Sequence, residues 1–222
     1  METISIIING TKIETKKGMN ILEAAQAAEI YIPRLCAHPD LPPSLEIKPV
    51  EIIFRGNEQI KIDDSVSSSQ GHEGCQLCVV KIEGVQEFAR SCSTPVEEGM
   101  EIWTDLPELQ DFRREKLMHI LTKHPHACLT CAQREGCARE PCSMNVPVEE
   151  RCCPKLGRCE LQAVAEYIGI REDTPRYVPQ GLSVLEDEPL FIRNYDLCIG
   201  CTRCVRACQD LRGVKALGFV YS

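Results

Sequence analysis

The stretch Thr3-Ile4-Ser5-Ile6-Ile7-Ile8-Asn9-Gly10-Thr11-Lys12-Ile13-Glu14 decides the fold of the first region. Ile4, Ile6 and Ile8 fall on one face of an extended chain, the two-residue period of a half-buried strand. Asn9-Gly10 is the two-residue connection of a tight antiparallel turn, and Thr11 to Glu14 returns as a second strand. A short helix fits Asn20 to Glu29, with Asn20 as N-cap and Ile21, Leu22, Ala25 and Ala28 facing inward. Ile30 to Leu35 then leads out to Cys36. Hairpin, helix and extended segment in that order are the opening of a β-grasp. Val79 to Ile82 and Gln86 to Ala89 read as further strands, and Glu101 to Thr104 as the last, so a first domain is expected over residues 1–104.

Within it, residues from about 41 to 70 read as an insertion. This segment starts rich in proline and ends in Ser65-Val66-Ser67-Ser68-Ser69. Between these, Val50 to Phe54 and Gln59 to Ile62 flank Arg55-Gly56-Asn57-Glu58 as a surface hairpin.

The chain of 222 residues contains 15 cysteines. Such a density means disulfides in an oxidising compartment or metal binding in a reducing one. The start has no basic segment before its short apolar run, which argues against a secretory leader. No apolar run approaches the roughly 18 residues of a membrane span. A cytoplasmic, metal-binding protein is therefore expected. The net charge of −8 and the 5% aromatic content oppose a nucleic-acid partner, which asks for a basic face or a stacking platform.

Cys36, Cys75, Cys78 and Cys92 read as four ligands of one centre. Cys75-Gln76-Leu77-Cys78 is a C-x2-C pair inside a glycine-bearing loop, Gly71-His72-Glu73-Gly74, whose backbone N–H groups can turn toward cluster sulfurs. A zinc ribbon normally shows two such pairs, whereas here one pair is joined by two lone cysteines. With the β-grasp beginning, Ile32-Pro33-Arg34-Leu35-Cys36, Gly74-Cys75-Gln76-Leu77-Cys78-Val79-Val80 and Cys92-Ser93-Thr94-Pro95-Val96 resemble the N-terminal [2Fe-2S] ferredoxin-like domain of the complex I large iron–sulfur subunit. The same domain opens the electron-input regions of iron-only and NAD-linked hydrogenases and of some formate dehydrogenases. The resemblance implies a [2Fe-2S] cluster on these four cysteines. The insertion lengthens the loop between Cys36 and Cys75 without removing a ligand.

A second region, 105–184, begins with a helix carrying Leu109, Phe112, Leu117, Ile120 and Leu121 up to His124. A second helix near Cys159 places Leu161, Val164, Ala165 and Ile168 on one stripe, with Gly169 as its stop. The spacing His124, Cys128, Cys131, Cys137 is H-x3-C-x2-C-x5-C. It resembles the histidine–three-cysteine [4Fe-4S] motif of the same family, where the last cysteine opens the next helix as in Cys159-Glu160-Leu161-Gln162. Spacing selects Cys137 and context selects Cys159. Four cysteines serve the first centre and four lie in the third region, so seven remain; with His124 they make eight ligands. Eight suffice for a further centre, iron–sulfur or zinc, built from Cys137, Cys142, Cys152 and Cys153, or from the same set with Cys159 in place of Cys137.

The third region, 185–222, is too short for its own core. Cys198-Ile199-Gly200-Cys201-Thr202-Arg203-Cys204-Val205-Arg206-Ala207-Cys208 is the ferredoxin spacing C-x2-C-x2-C-x3-C. In two-cluster domains the fourth cysteine usually serves the other cluster. The expectation is a truncated bacterial-ferredoxin-like segment of a longer protein, with Cys208 bending in or a partner ligand as alternatives. Arg203 and Arg206 are expected to be solvated or to raise this cluster's potential.

The fold class expected is thus α+β: a β-grasp domain, a small helical histidine–three-cysteine domain, then a partial ferredoxin domain. The resemblance implies an electron relay with one [2Fe-2S] and two or three [4Fe-4S] clusters. Its partners would be a flavin-containing NAD(P)H-oxidising subunit, a small [2Fe-2S] subunit, and a further catalytic subunit or missing C-terminal region. A hydrogenase, a formate dehydrogenase or an electron-bifurcating transhydrogenase is the host favoured over complex I itself, whose pattern lacks the extra cysteines. No dinucleotide fingerprint, P-loop or nucleophile motif is present in the chain, so no catalytic residues are expected. The alternatives are a zinc-stabilised interaction module and a metal or redox sensor.

Overall fold

The computed structural model describes residues 2–42, 50–55, 58–61, 74–135, 137, 140–153, 155–182, 184–186, 189–190 and 192–218. The chain divides into two compact units: Met1–Leu109 with Gly200–Ser222, and Gln110–Ile199.

The first unit is built on strands β1 (Thr3–Ile8), β2 (Thr11–Lys16), β5 (Val79–Ile82), β6 (Ala89–Arg90) and β7 (Glu101–Trp103), in the order β2-β1-β7-β5-β6. β1 and β2 pair antiparallel, Ile6 opposite Ile13. Their turn is made by Asn9 and Gly10, both at positive φ (51° and 78°), the conformation that a two-residue hairpin requires. Asn9 also ties the hairpin to the end of β7. Its Nδ2 donates to Thr104 Oγ1 at 2.7 Å, and its Oδ1 accepts the Thr104 N–H at 2.8 Å. β1 runs parallel to β7, with Ile8 beside Ile102.

Helix α1 (Ile21–Ala27) lies over this sheet. Asn20 and Glu23 form a reciprocal capping box, each bond 2.9 Å. The helix stops short of the expected Glu29 because Glu29 takes a φ of 60° and the Ile30 N–H bonds back to the Ala25 carbonyl at 2.8 Å. Ile4, Ile6, Ile8, Ile21, Leu22, Ala24, Ala25, Ile32, Val80, Ile82 and Ile102 form the core, and Cys78 and Cys92 belong to it.

Strand bounds differ from expectation at β6 and in the inserted hairpin. β6 begins at Ala89, because Val79 pairs with Arg90 and Val80 with Ala89, leaving Gln86–Phe88 in the turn. In the inserted stretch, β3 (Ile52–Arg55) pairs with β4 (Glu58–Lys61), and Arg55 faces Glu58 directly. The connection is thus two residues rather than four. Gly56 and Asn57, and the serine-rich run Ser65–Ser69, lie outside the described residues.

The second unit takes most of the helix Pro107–Leu121 and the helix Glu160–Ile168. The latter buries Leu161, Val164, Ala165 and Ile168, and ends at Gly169 with φ 82°. Arg114 Nε donates to the terminal Ile168 carbonyl at 3.1 Å, joining the two helices. Leu109, Leu117 and Leu121 are buried on the first helix; Arg113, in the same four-residue row, is completely buried as well. A short ladder, Val184–Leu185 with Arg193–Asn194, follows. Among the described residues no helix is long and apolar enough to cross a membrane.

Candidate metal centres

Three loops of the first unit bring four thiols together. Cys36 ends the extended segment after α1, Cys75 and Cys78 precede and abut β5, and Cys92 follows β6. Cys36 Sγ lies 3.5 Å from Cys75 Sγ. Cys92 contacts both Cys36 and Cys78. Gln76 adopts a left-handed φ of 54°, which turns the loop so that the Leu77 amide faces the Cys75 sulfur. The Leu35 N–H donates to the same sulfur at 3.4 Å.

The thiols hold their protons against one another. Cys36, then burial, push the Cys75 thiol well above its ordinary value, and Cys36 and Cys78 do the same to Cys92. Cys78, which accepts from Cys92, is lowered. Four crowded thiols, three of them on buried residues, become thiolates together only when a cation offsets their charge.

The surroundings fit an anionic sulfur-rich group. Ser91 is completely buried, and its hydroxyl turns toward Cys78, whose thiol it helps to lower; among the described residues no acceptor meets it at full hydrogen-bond geometry. A cluster sulfur is an acceptor that such an orphan donor needs.

In the second unit, His124 follows the last turn of its helix, its N–H bonding to the Leu121 carbonyl at 3.1 Å. The ring is buried, and its Nδ1 lies 2.9 Å from the Pro125 carbonyl. A carbonyl only accepts, so Nδ1 carries the proton and Nε2 keeps a lone pair. Burial lowers the ring's pKa, which keeps this neutral, ligand-competent form. His126 is also buried, with Nδ1 3.0 Å from the His124 carbonyl.

Cys128 accepts the Cys152 N–H at 3.4 Å, and the Cys152 thiol turns to the Pro125 carbonyl at 3.5 Å. Burial, then Cys128, push Cys152 up to about 12. The structure therefore brings Cys152 to Cys128, a pairing that neither spacing nor helix context selects. Cys131 and Cys153 are half-buried and Cys137 is exposed. Cys159 is the N-cap residue of Glu160–Ile168, its carbonyl accepting the Ala163 N–H at 3.1 Å. Cys142 sits in a turn where its sulfur accepts the Val146 N–H at 3.4 Å. That amide, with those of Met144 and Asn145 and the charge of Arg151, lowers its pKa. Among the described residues no three His, Cys, Asp or Glu side chains close around a single ion.

Of the ferredoxin spacing, Cys198 belongs to the second unit and is exposed. Cys201, Cys204 and Cys208 belong to the first; Cys208 Sγ accepts the Ala216 N–H at 3.1 Å. The intervening helix Arg203–Arg206 places its arginines on the Cys36 loop. Arg203 Nη2 donates to the Ala37 carbonyl at 2.8 Å, and Arg206 donates to the carbonyls of Pro42 (3.1 Å) and Cys36. Arg206 is 4% exposed, so the expected solvated role does not hold for it. Sequence spacing carries no signal for this contact, which joins residues 170 positions apart.

The sheet, helix and thiol quartet define a ferredoxin-type domain, and residues 1–44 and 65–107 match the 2Fe-2S iron-sulfur cluster binding domain family. The matched residues leave out 45–64, inside the stretch read as inserted. Over nearly its whole length the chain is similar to iron–sulfur components of NAD(P)-linked oxidoreductases. It is 29% identical to the NADP-reducing hydrogenase subunit HndD of Solidesulfovibrio fructosivorans over 99% of this chain and 30% of that protein. It is 27% identical to the NADH-ubiquinone oxidoreductase 75 kDa subunit of Reclinomonas americana over 98% of this chain and 24% of that one. The crystal structure of an NAD+-reducing [NiFe]-hydrogenase in its H2-reduced state superposes with a TM-score of 0.67 and 25% identity, covering all of this chain and 72% of the other. The chain thus spans less than a third of the length of these two curated relatives.

Proposed function

We propose that this chain relays electrons, one at a time, between a flavin-containing NAD(P)H-oxidising subunit and another redox site of a multi-subunit oxidoreductase. The largely buried quartet Cys36, Cys75, Cys78 and Cys92, with its inward-facing amides, is the observation that carries the reading. When bound, a [2Fe-2S] centre accepts and releases single electrons at a potential set by charge, hydrogen bonds and exposure. The chain's own part is to supply four thiolates, donate the Leu35 and Leu77 amides and the Ser91 hydroxyl to sulfur, and keep water out. The small [2Fe-2S] subunit and the catalytic partner remain part of this proposal, as does a hydrogenase, formate dehydrogenase or transhydrogenase host.

For the second centre, the neutral Nε2 of His124 and the thiols of Cys128 and Cys131 are the proposed [4Fe-4S] ligands, completed by Cys159 or Cys137. The Cys128–Cys152 contact supports bringing Cys152 into this centre's immediate surroundings, which leaves Cys142 and Cys153 with Cys137 or Cys159 for a further one. Cys198, Cys201, Cys204 and Cys208 are the proposed ligands of the ferredoxin-type [4Fe-4S] centre.

Anaerobic purification followed by iron, sulfide and zinc analysis, with EPR of the dithionite-reduced protein, tests the reading. A brown protein with both [2Fe-2S] and [4Fe-4S] signals is expected. A colourless, zinc-rich protein lacking iron overturns it in favour of a zinc-stabilised interaction module.

A further inference from the structure

Arg206 belongs by sequence to the ferredoxin spacing, between Cys204 and Cys208, yet its side chain is spent on another centre. Its two terminal nitrogens bridge the carbonyls of Cys36 and Pro42, the two ends of the loop that leaves the thiol quartet. The Cys36 carbonyl is part of the same residue as a proposed ligand sulfur. Arg203 adds a third bond to this loop, at Ala37.

A guanidinium carries a full positive charge. That of Arg206 is buried, and among the described residues its Nε has no hydrogen-bond partner and no carboxylate pairs with it. Two carbonyl dipoles offset only part of the cost of burying a full charge. An anion close by supplies the rest, and the Cys36 quartet becomes anionic when it binds iron and sulfide. Reduction adds one more negative charge, so a fixed, unscreened cation favours the reduced state.

We propose that Arg206 is a positioning and charge-tuning residue of the [2Fe-2S] centre, contributed by the segment that carries the ferredoxin motif. It holds the Cys36 loop by a two-pronged contact and raises the potential of the centre that the loop helps to form. Arg203, half-buried on the same helix, is more exposed to water and has the smaller effect. The proposal rests on the [2Fe-2S] reading above.

The test is a redox titration of the [2Fe-2S] EPR signal in the full chain, wild type against Arg206→Gln and Arg206→Lys. Loss of the charge in Arg206→Gln is expected to lower the ratio of reduced to oxidised centre at a fixed potential about tenfold, a shift of about 59 mV. Arg206→Lys keeps the charge and is expected to stay within about twofold of wild type. An Arg206→Gln protein that titrates like wild type overturns the proposal. If Arg206→Gln yields no cluster-bearing protein, Arg206→Lys decides: a ratio near wild type supports the charge, and a tenfold fall overturns it. A wild-type chain with no [2Fe-2S] signal overturns the functional reading together with this one, whereas unchanged variants overturn this one alone.

Discussion

A buried hydroxyl without a well-formed hydrogen bond costs stability, and among the described residues Ser91 is in that position beside Cys78. Removing it by Ser91→Ala should leave the cluster-free protein no less stable, with a gain of up to about 1 kcal/mol offset by lost packing. The cluster-loaded protein should instead lose a donor to sulfur and titrate at a lower potential. Thermal melts of the two forms, with a redox titration of the loaded one, check both halves. At Cys142 three amides and Arg151 favour the thiolate, which suits a metal ligand better than a packed thiol. Cys142→Ser should lower the metal content by one centre; unchanged iron and zinc totals would count heavily against a further centre there. The four thiols of the first quartet were legible from spacing because the fold needs them at loop ends that the hydrophobic pattern already marks. Ser91, Arg206 and the Cys128–Cys152 contact were not. Their significance depends on burial and on partners far away in sequence, neither of which local composition records.

The elements were legible where local chemistry and packing agree. Asn9-Gly10 names its turn, Asn20 and Glu23 name a helix start, and the Leu161, Val164, Ala165, Ile168 stripe ends at a glycine as its period implies. Asn20→Ala removes one side of the capping box and should cost about 1 kcal/mol in denaturant unfolding. Asn9→Ala should cost more, on the order of 2–3 kcal/mol, because it forfeits both bonds to Thr104 and forces alanine to a positive φ. Equal losses from the two substitutions would mean that the Thr104 contact contributes little. Element ends were less legible. β6 starts late because its pairing with β5 is set by the ladder, not by its own residues, and the inserted hairpin closes in two residues because Arg55 and Glu58 pair across it. On the helix Pro107–Leu121, Arg113 occupies an apolar row, a placement that no hydrophobic pattern would select.

At the scale of the whole molecule, the thiol quartet and the His124 region lie in different compact units. Cys75→Ser should therefore abolish the [2Fe-2S] signal while the [4Fe-4S] signals persist in the reduced EPR spectrum; loss of every signal together would mean that the units do not load independently. The first unit is also discontinuous in sequence, since its last part, Gly200–Ser222, is separated from its first by residues 110–199. A ribosome adding roughly 5–20 residues per second needs on the order of 5–20 seconds to make that intervening stretch. Throughout that interval the Cys36 loop has emerged but its two arginine braces have not been synthesised. Cofactor insertion during translation would thus act on a loop still lacking its C-terminal clasp, and the order of synthesis becomes an order of maturation.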